Sequence, residues 1–595
     1  MNTKNIEKTG STDRIYSWAT IIFALFLVWG NTPAIAEKTG VLCSNNATPA
    51  SLHELQIGAY YYPWYGSDGR HWNEGYFRGD LRPQQLPLLG EYDSRDEATI
   101  NQHIEWAKDA GIDFFALSFW GEDTWVNQTA KNCFTKASAL KDFKFTILYE
   151  TVADKLLVPY RVKGDLTFEL GNELEQRFID SIDYLAETYF SHPSYLRIDD
   201  KPVLIIYVTH QFAGDYKGAI QRLRATIREK HGMELFLIGD EVDPIKPPVE
   251  DRIACFDAIT PYIQYASPIQ TLPDTALGYA DDVWILQNAR MKNTRFKAIS
   301  DRLGIEFVPN ALPGFNDRGV RLDVNHYYLP HRRNAHDPRK YGLFEDYLDM
   351  AGEFMNPDFK LMMVTSWNEW HEDTQLEPDS GVPTREPATH TVGLNVEPYG
   401  FDLLNILKEF KNTYSGPKSL PSVKKINITE LCLAVNGNKQ AGYIELHNPG
   451  SESVDLQGMR LCLRSRHDSF ERDNFYVKLS GSIPAGENYL VATPAARDFL
   501  KEKEQLTVDQ TTTAAVLPRI SMNNGQIALR DQEGRIVDAF SWTAESSFDG
   551  DYVEKDNFKI DTVPAPNQSI IRRSHKQDRN NNALDFTIDL SSPKR

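Results

Sequence analysis

FKLMMVTSWNEWHEDTQLEP, Phe359 to Pro378, is the stretch from which the rest of this 595-residue chain is read. It opens on a purely apolar run, Leu361 to Val364, and then places Glu369 and Glu372 three residues apart among Trp367, Trp370 and His371. A short apolar run without polar alternation is the pattern of a strand buried on both faces. The strand therefore ends in two acids. Carboxylates set among aromatic rings have their charged forms disfavoured, so one can be held protonated while a better solvated neighbour stays ionised. That is a candidate acid/base pair. The competing reading is a solvated helix start, where acidic residues favour the positive end of the helix dipole. The two flanking tryptophans and the preceding strand weigh against it.

Seven runs of the same kind lie upstream: IGAYYYPWY (57–65), DFFALSFWG (113–121), FTILYE (145–150), PVLIIYVT (202–209), LFLIGDE (235–241), FDAITPYIQY (256–265) and IEFVPNALPGF (305–315). Helical patterns separate them at Glu97 to Ala110, Glu173 to Tyr189, Tyr216 to Lys230 and Leu343 to Met355. Eight continuous apolar strands with intervening helices predict an α/β fold, a (β/α)8 TIM barrel over residues 50–416 with enlarged loops.

Chemistry in such a barrel is done at the carboxyl ends of the strands. The first run supplies Tyr60, Tyr61, Tyr62, Trp64 and Tyr65, with His71 and Trp72 just beyond; the second ends in Trp120 and the third in Glu150. Tyr207 closes the fourth, Asp240 and Glu241 the fifth, and Tyr262 and Tyr265 belong to the sixth. The seventh runs into Asn310, Asn316 and Asp317, and the last delivers Asn368 with the two glutamates. Any one of these aromatics is more often a core residue than a binding one. Together, rings and carboxylates from most strands suit an oligosaccharide cleft, where flat rings cover the apolar faces of sugars and carboxylates or amides bond the hydroxyls. Asp240 and Glu241 are as readily a helix cap or partners of Lys246 as members of that cleft.

Composition narrows the function. With 41% hydrophobic and 25% charged residues the chain is globular, and its length calls for two domains and a leader. A formal charge of −19 argues against nucleic acid, which needs clustered Lys and Arg. No spacing of His and Cys suggests a metal, and no cofactor is expected. Arg14, the apolar run Trp18 to Trp29 and the Ala34-Ile35-Ala36 end make residues 1–36 a secretory signal cleaved after Ala36. A retained signal anchor is the alternative. The product would be secreted, periplasmic or held at the cell surface. Five cysteines make no disulfide framework, although Cys432 and Cys462 share one small domain and invite pairing. Asn46, Asn127, Asn427 and Asn567 each begin an Asn-X-Ser/Thr triplet.

GAYYYPWYG (58–66), YDSRD (92–96) followed by HIEWAKDAGID (103–113), PGF (313–315) and above all WNEWHEDTQLEP resemble glycoside hydrolase family 99, the endo-α-mannosidases and endo-α-mannanases. The likeness spans nearly the whole barrel. The first of these motifs is shared with broader relatives, among them barrel proteins encoded with bacterial polysaccharide clusters. The resemblance implies a retaining enzyme without a metal. Glu369 would take the proton from the sugar 2-hydroxyl, whose oxygen would displace the leaving group and form a 1,2-anhydro sugar. Glu372 would protonate the departing oxygen and later activate water. Side chains three apart on a helical turn have Cβ atoms about 5–6 Å apart, nearer the roughly 5–5.5 Å of retaining than the wider gap of inverting enzymes. Spacing does not separate a carboxylate nucleophile from 2-hydroxyl participation. The chain departs from the family at Asp373, where a Glu-Gly-Thr sequence is usual; a carboxylate there would raise the pKa of the acid if close and do nothing if it faced water.

Residues 417–425, within the polar, Pro- and Gly-containing stretch 412–425, read as a linker. Beyond it short alternating runs predict an all-β, immunoglobulin-like sandwich over 426–590. ITEL (428–431), YIELHNPGSESVDLQGMRL (443–461), GRIVDAFSW (534–542) and NNNALDFT (580–587) resemble the lamin-tail domain, which implies an accessory module making a cell-surface or glycan contact. Glu445 and His447 alternate on one strand and are expected to face solvent. The whole reads as a secreted glycoside hydrolase acting on α-mannosidic or related linkages in an oligosaccharide or polysaccharide. A non-catalytic carbohydrate-binding or polysaccharide-processing protein on the same barrel is the alternative.

Overall fold

The computed structural model describes residues 52–72, 86–153, 155–242, 248–262, 264, 282–315, 338–380, 398–416, 425–438, 440–465, 475–512, 524–531, 535–543, 558–559, 564–565, 568–574 and 582–593. The leader, Lys246, Tyr265, Asn316, Asp317, the sequons at Asn46 and Asn567, and nearly all of the expected linker lie outside these.

The first seven expected runs and the quoted stretch each contain a barrel strand: Leu52–Tyr61, Phe114–Phe119, Lys144–Tyr149, Lys201–Ile206, Phe236–Asp240, Ala258–Thr260, a broken seventh made of Glu306–Phe307 and Asn310–Ala311, and Phe359–Val364. Successive strands pair in parallel. The first also pairs with the last, Ile57 to Ala59 beside Met362 to Val364, so the sheet closes on itself. Closure depends on the seventh segment changing partner. Val308 N–H still donates to Ile259 of the sixth strand, whereas the Pro309 carbonyl accepts Met363 N–H of the eighth. Pro309 has no N–H with which to continue the first ladder.

Helices cover the outside. Glu97–Asp109, Glu173–Leu185 and Tyr216–His231 begin at Asp96, Asn172 and Asp215, whose side chains accept from Ala98, Glu175 and Gly218 N–H. Such caps satisfy donors that the first turn leaves unpaired. The apolar faces of these helices, with those of Gly342–Phe354 and Asp402–Thr413, share one continuous core with the outward side chains of the strands.

Alternation sorts the strand residues into two cores. Ile57, Ala59 and Tyr61, with Phe115, Leu117, Phe145, Ile147, Leu204, Leu237, Ile259 and Met362, face the helices. Tyr60 and Tyr62, with Phe114, Ala116, Leu148, Val203, Ile205, Ile238, Ala258, Leu361 and Met363, fill the barrel. Gly58 belongs to the inner set, where a Cβ would lie 2.2 Å from the Phe114 ring. Continued toward the carboxyl ends by the period of two, the inner set reaches Tyr62, Ser118, Glu150, Tyr207, Asp240 and Tyr262. Tyr61 has the opposite parity.

The carboxyl-terminal domain is a sandwich. One sheet runs, in spatial order, Gln510–Thr511, Asn488–Ala492, Tyr443–His447, Asn427–Cys432, Gln568–Arg572 and Phe586–Leu590; the other runs Phe475–Lys478, Arg460–Ser465, Asn524–Arg530, Ile536–Thr543 and Phe558–Lys559. Two expectations are corrected here. Cys432 and Cys462 are not joined by a disulfide and stand in different sheets. Glu445 and His447 are buried, not solvent-facing. Their strand carries Tyr443 on the same parity, and Tyr443 is covered by Ala496 and Leu500 from the short helix Pro494–Phe499 and the turn after it. Glu445 accepts the Thr429 hydroxyl at 2.9 Å. The triplets at Asn127 and Asn427 have buried asparagines; the Asn127 amide donates to Glu122 O and Tyr184 Oη and accepts from Tyr189.

Candidate active site

The eighth strand hands over to an irregular turn, not a helix. Trp367 N–H donates to Tyr60 O, Glu369 N–H to Ser366 Oγ at 2.9 Å, and His371 N–H to Glu369 Oε1 at 3.0 Å. Trp367 and Trp370 are fully buried, which anchors the turn at two points while Glu369 is 6% exposed and Glu372 half-buried. Asp373 sits at φ +50°, in the left-handed region where glycine is unstrained and Asp is among the tolerated residues. This is the physical reason a glycine suits that position.

Three carboxyl groups bear on one phenol. Burial raises the Tyr62 hydroxyl far above its ordinary value, and the charges of Glu150, Glu369 and Glu372 add to it. Tyr62 Oη meets Tyr262 Oη in a short hydrogen bond. Tyr262 is raised in turn by burial, with Tyr62, Tyr207 and Glu372 contributing. Its ring lies 4.9 Å from Tyr207 and 4.8 Å from Tyr60, edge-on in both cases. Glu150 accepts the Ser118 hydroxyl at 2.8 Å, and Ser118 Oγ accepts the Trp120 indole N–H at 2.7 Å. Burial pushes Glu150 up to about 8, opposed by the Ser118 bond and helped by Asp240 and Glu372. It is therefore a neutral acid at neutral pH.

An aromatic wall stands beside them. Trp64 stacks on Tyr62 at 4.5 Å, lies 4.0 Å from the His71 ring and meets Trp120 edge-on at 5.7 Å. His71 is 4.6 Å from His371, whose Nε2–H donates to His71 O at 2.7 Å. Burial, with His371 beside it, holds His71 well below the ordinary histidine value, so the ring is neutral.

The remaining expected site residues do other work. Tyr61 lies in the outer core with its hydroxyl 3.2 Å from His103 Nδ1, outside the group just described. Trp72 stacks behind Tyr65 at 3.9 Å and donates to Tyr92 O; Tyr65 Oη donates to Asn368 O at 2.9 Å. Asn368 is fully buried, and its two N–H bonds go to Tyr62 O and Tyr92 Oη. These brace the site from behind. Asp240 accepts Val208 and Tyr262 N–H, and Glu241 pairs with buried Arg252.

Sequence reasoning missed four participants: Ser118, Tyr92, Glu377 and His103. Ser118 shares the parity of Glu150's strand position. His103 falls on the apolar face of its helix with Ile100, Ile104 and Ala107, a buried polar group that helical periodicity exposes.

A closed parallel barrel with carboxyl groups and aromatic rings at the carboxyl ends of its strands belongs to the class of TIM-barrel proteins that do their chemistry on that face. Residues 64–384, just over half the chain, match the family model described as Glycosyltransferase WbsX, and the chain belongs to that family. Residues 420–544 match the Lamin Tail Domain. The expected likeness to endo-α-mannosidases is found. The chain is 24% identical over 422 residues to a glycoprotein endo-alpha-1,2-mannosidase of Rattus norvegicus, covering 62% of this chain and 78% of that protein. It is 24% identical over 376 residues to a glycoprotein endo-alpha-1,2-mannosidase-like protein of Homo sapiens, covering 57% and 72%. A solved GH99 endo-alpha-mannosidase from Bacteroides thetaiotaomicron aligns at 20% identity and TM-score 0.41, covering 60% of this chain and 98% of that one.

Proposed function

We propose that the protein is a retaining glycoside hydrolase that cleaves α-mannosidic or closely related linkages in an oligosaccharide or polysaccharide. What supports this is the placement of Glu369, 6% exposed, and half-buried Glu372 on the turn after the eighth strand, with Glu150 just past the end of the third and the Tyr62–Trp64–Trp120 wall past the ends of the first and second. Glu369 takes the proton of the sugar 2-hydroxyl, and that oxygen attacks the anomeric carbon as the bond to the leaving oxygen breaks. Glu372 gives its proton to that oxygen, then takes one from the water that attacks the anomeric carbon; the bond from that carbon to the 2-oxygen breaks, Glu369 returns its proton to the 2-oxygen, and the original configuration is restored. Glu369 is the more buried of the two, and the half-buried position of Glu372 leaves it open to leaving group and water. Neutral Glu150 donates a hydrogen bond to a substrate oxygen without adding a third negative charge.

Export through residues 1–36 with cleavage after Ala36, and a cell-surface or glycan contact by the carboxyl-terminal domain, belong to the same reading. Amino-terminal sequencing of the mature protein tests the first.

The experiment is digestion of α-mannan, high-mannose glycan and other polysaccharides by wild type, Glu369→Gln and Glu372→Gln. Product from wild type alone is expected; equal product from all three removes the site. The family description favours one second reading, transfer of the sugar to another hydroxyl in place of water. The same digestion with added mono- and disaccharide acceptors separates the two, since transfer yields lengthened products.

A further inference from the structure

Glu377 stands five residues beyond Glu372, and water does not reach its side chain. Its Oε1 accepts from His103 Nε2 at 3.0 Å, and its Oε2 accepts the Tyr92 hydroxyl at 2.9 Å and the Trp370 indole N–H at 2.7 Å. Its main chain is held as well: N–H donates to Trp367 O, and the carbonyl accepts the Tyr399 hydroxyl at 2.7 Å. A carboxylate offers acceptors only, which suits three convergent donors. With the His103 proton on Nε2, Nδ1 is an acceptor for the Tyr61 hydroxyl at 3.2 Å, so one neutral tautomer satisfies both ends.

Two of these donors lead to the acid turn. Trp370 lies between Glu369 and Glu372 in sequence, and the Tyr92 oxygen that donates to Glu377 accepts Asn368 Nδ2 at 3.1 Å. We propose that Glu377 is a positioning residue: its carboxylate fixes Trp370 directly and Asn368 through Tyr92, and so sets the backbone from which Glu369 and Glu372 project. The inference rests on the reading of those two glutamates as the acid/base pair. A buried carboxylate retained only for stability would hold the fold without holding this turn; the two differ in what breaks when a single link is cut.

Tyr92→Phe removes the oxygen joining Glu377 to Asn368, Trp370→Phe removes the indole donor, and Glu377→Gln keeps the shape while exchanging an acceptor for a donor. Each is made in the full chain and followed by crystal structure and by steady-state kinetics on a glycan that wild type cleaves. The expected result is a folded protein in which the 368–372 backbone moves by more than about 0.5 Å, with kcat reduced at least roughly tenfold and KM within about threefold. Folded variants with an unmoved turn and kcat within about twofold of wild type would overturn the proposal. Should wild type cleave no glycan, the proposed function fails, and the position of the turn in the three crystal structures alone decides the role of Glu377.

Discussion

The side-chain amide of Asn368 holds both main-chain groups of Tyr62: the Tyr62 N–H donates to Oδ1 at 2.8 Å, and Nδ2 donates to the Tyr62 carbonyl at 3.1 Å. One side chain thus does for two loops what a ladder does for two strands, tying the end of the first strand to the turn after the last. In Asn368→Asp an oxygen replaces Nδ2 opposite the Tyr62 carbonyl and the Tyr92 hydroxyl. The loss of two buried hydrogen bonds should destabilise the barrel by about 2–4 kcal/mol and abolish cleavage. Urea unfolding of wild type and variant measures the first, and a difference below roughly 0.5 kcal/mol would show that the clamp is idle.

Glu150 makes stability depend on pH. Its carboxyl titrates near 8 in the native protein against an ordinary value of 4.5. Below about 4.5 it is protonated in both states. Between there and 8 the unfolded chain releases the proton and the native protein keeps it, so this group's contribution falls as pH rises and the loss is complete above 8. Glu150→Gln removes that dependence. The stability of Glu150→Gln relative to wild type should grow between pH 5 and pH 8 by an amount on the order of 4 kcal/mol. Denaturation curves at several pH values check this, and a constant difference would mean an ionised Glu150.

Asp373 occupies left-handed backbone at φ +50°. Asp373→Gly should be neutral or stabilising by up to about 1 kcal/mol, whereas Asp373→Val should be destabilising by roughly 1–3 kcal/mol. Thermal unfolding of the two variants gives the order, and a valine variant as stable as the glycine one would contradict the backbone assignment.

In the sandwich, Arg572 donates to both Asp538 oxygens at 2.7 and 2.8 Å, with side chains at 0% and 1% exposure. Arg572 Nε also donates to Ile428 O, and Asp538 accepts Ile428 N–H, so the pair fastens strand Asn427–Cys432 to the opposite sheet. Removing Asp538 leaves the buried Arg572 with the longer, 3.7 Å contact to Asp585: Asp538→Ala should destabilise this domain by up to about 3–5 kcal/mol. Hydrogen exchange of peptides across residues 427–432 should accelerate, and unchanged exchange would remove the pair from the account.

Expression in a glycosylating host should leave Asn127 and Asn427 unmodified once folded, because both amides are buried. Glycopeptide mass spectrometry reads occupancy directly.

All eight barrel runs were legible because strands covered on both faces must be apolar throughout. For the same reason their parity was not: a run without polar alternation does not say which side chains face in. Tyr60, Tyr61 and Tyr62 are indistinguishable as text, yet Tyr60 and Tyr62 line the barrel while Tyr61 meets His103 outside it. In the sandwich the opposite error arose. Alternation around Glu445 and His447 suggests one wet face, but both are buried, Glu445 against Thr429 and His447 against Asn488, and a six-residue helix, too short to leave a periodic signal, packs with Tyr443 of the same face.

The order of strands, the acids after the eighth and the change to β structure near residue 426 follow from hydrophobic pattern alone, since burial demands are local and repeat with the period of each element. The partners of each acid do not. Glu150 meets Ser118, Glu377 meets His103 across 274 positions, and Asn368 meets Tyr62 across 306, because closing the barrel brings the first and last strands side by side. Whether a glutamate serves as a brace or as a neutral donor is decided by those neighbours and by the water they exclude, which no spacing in the chain records.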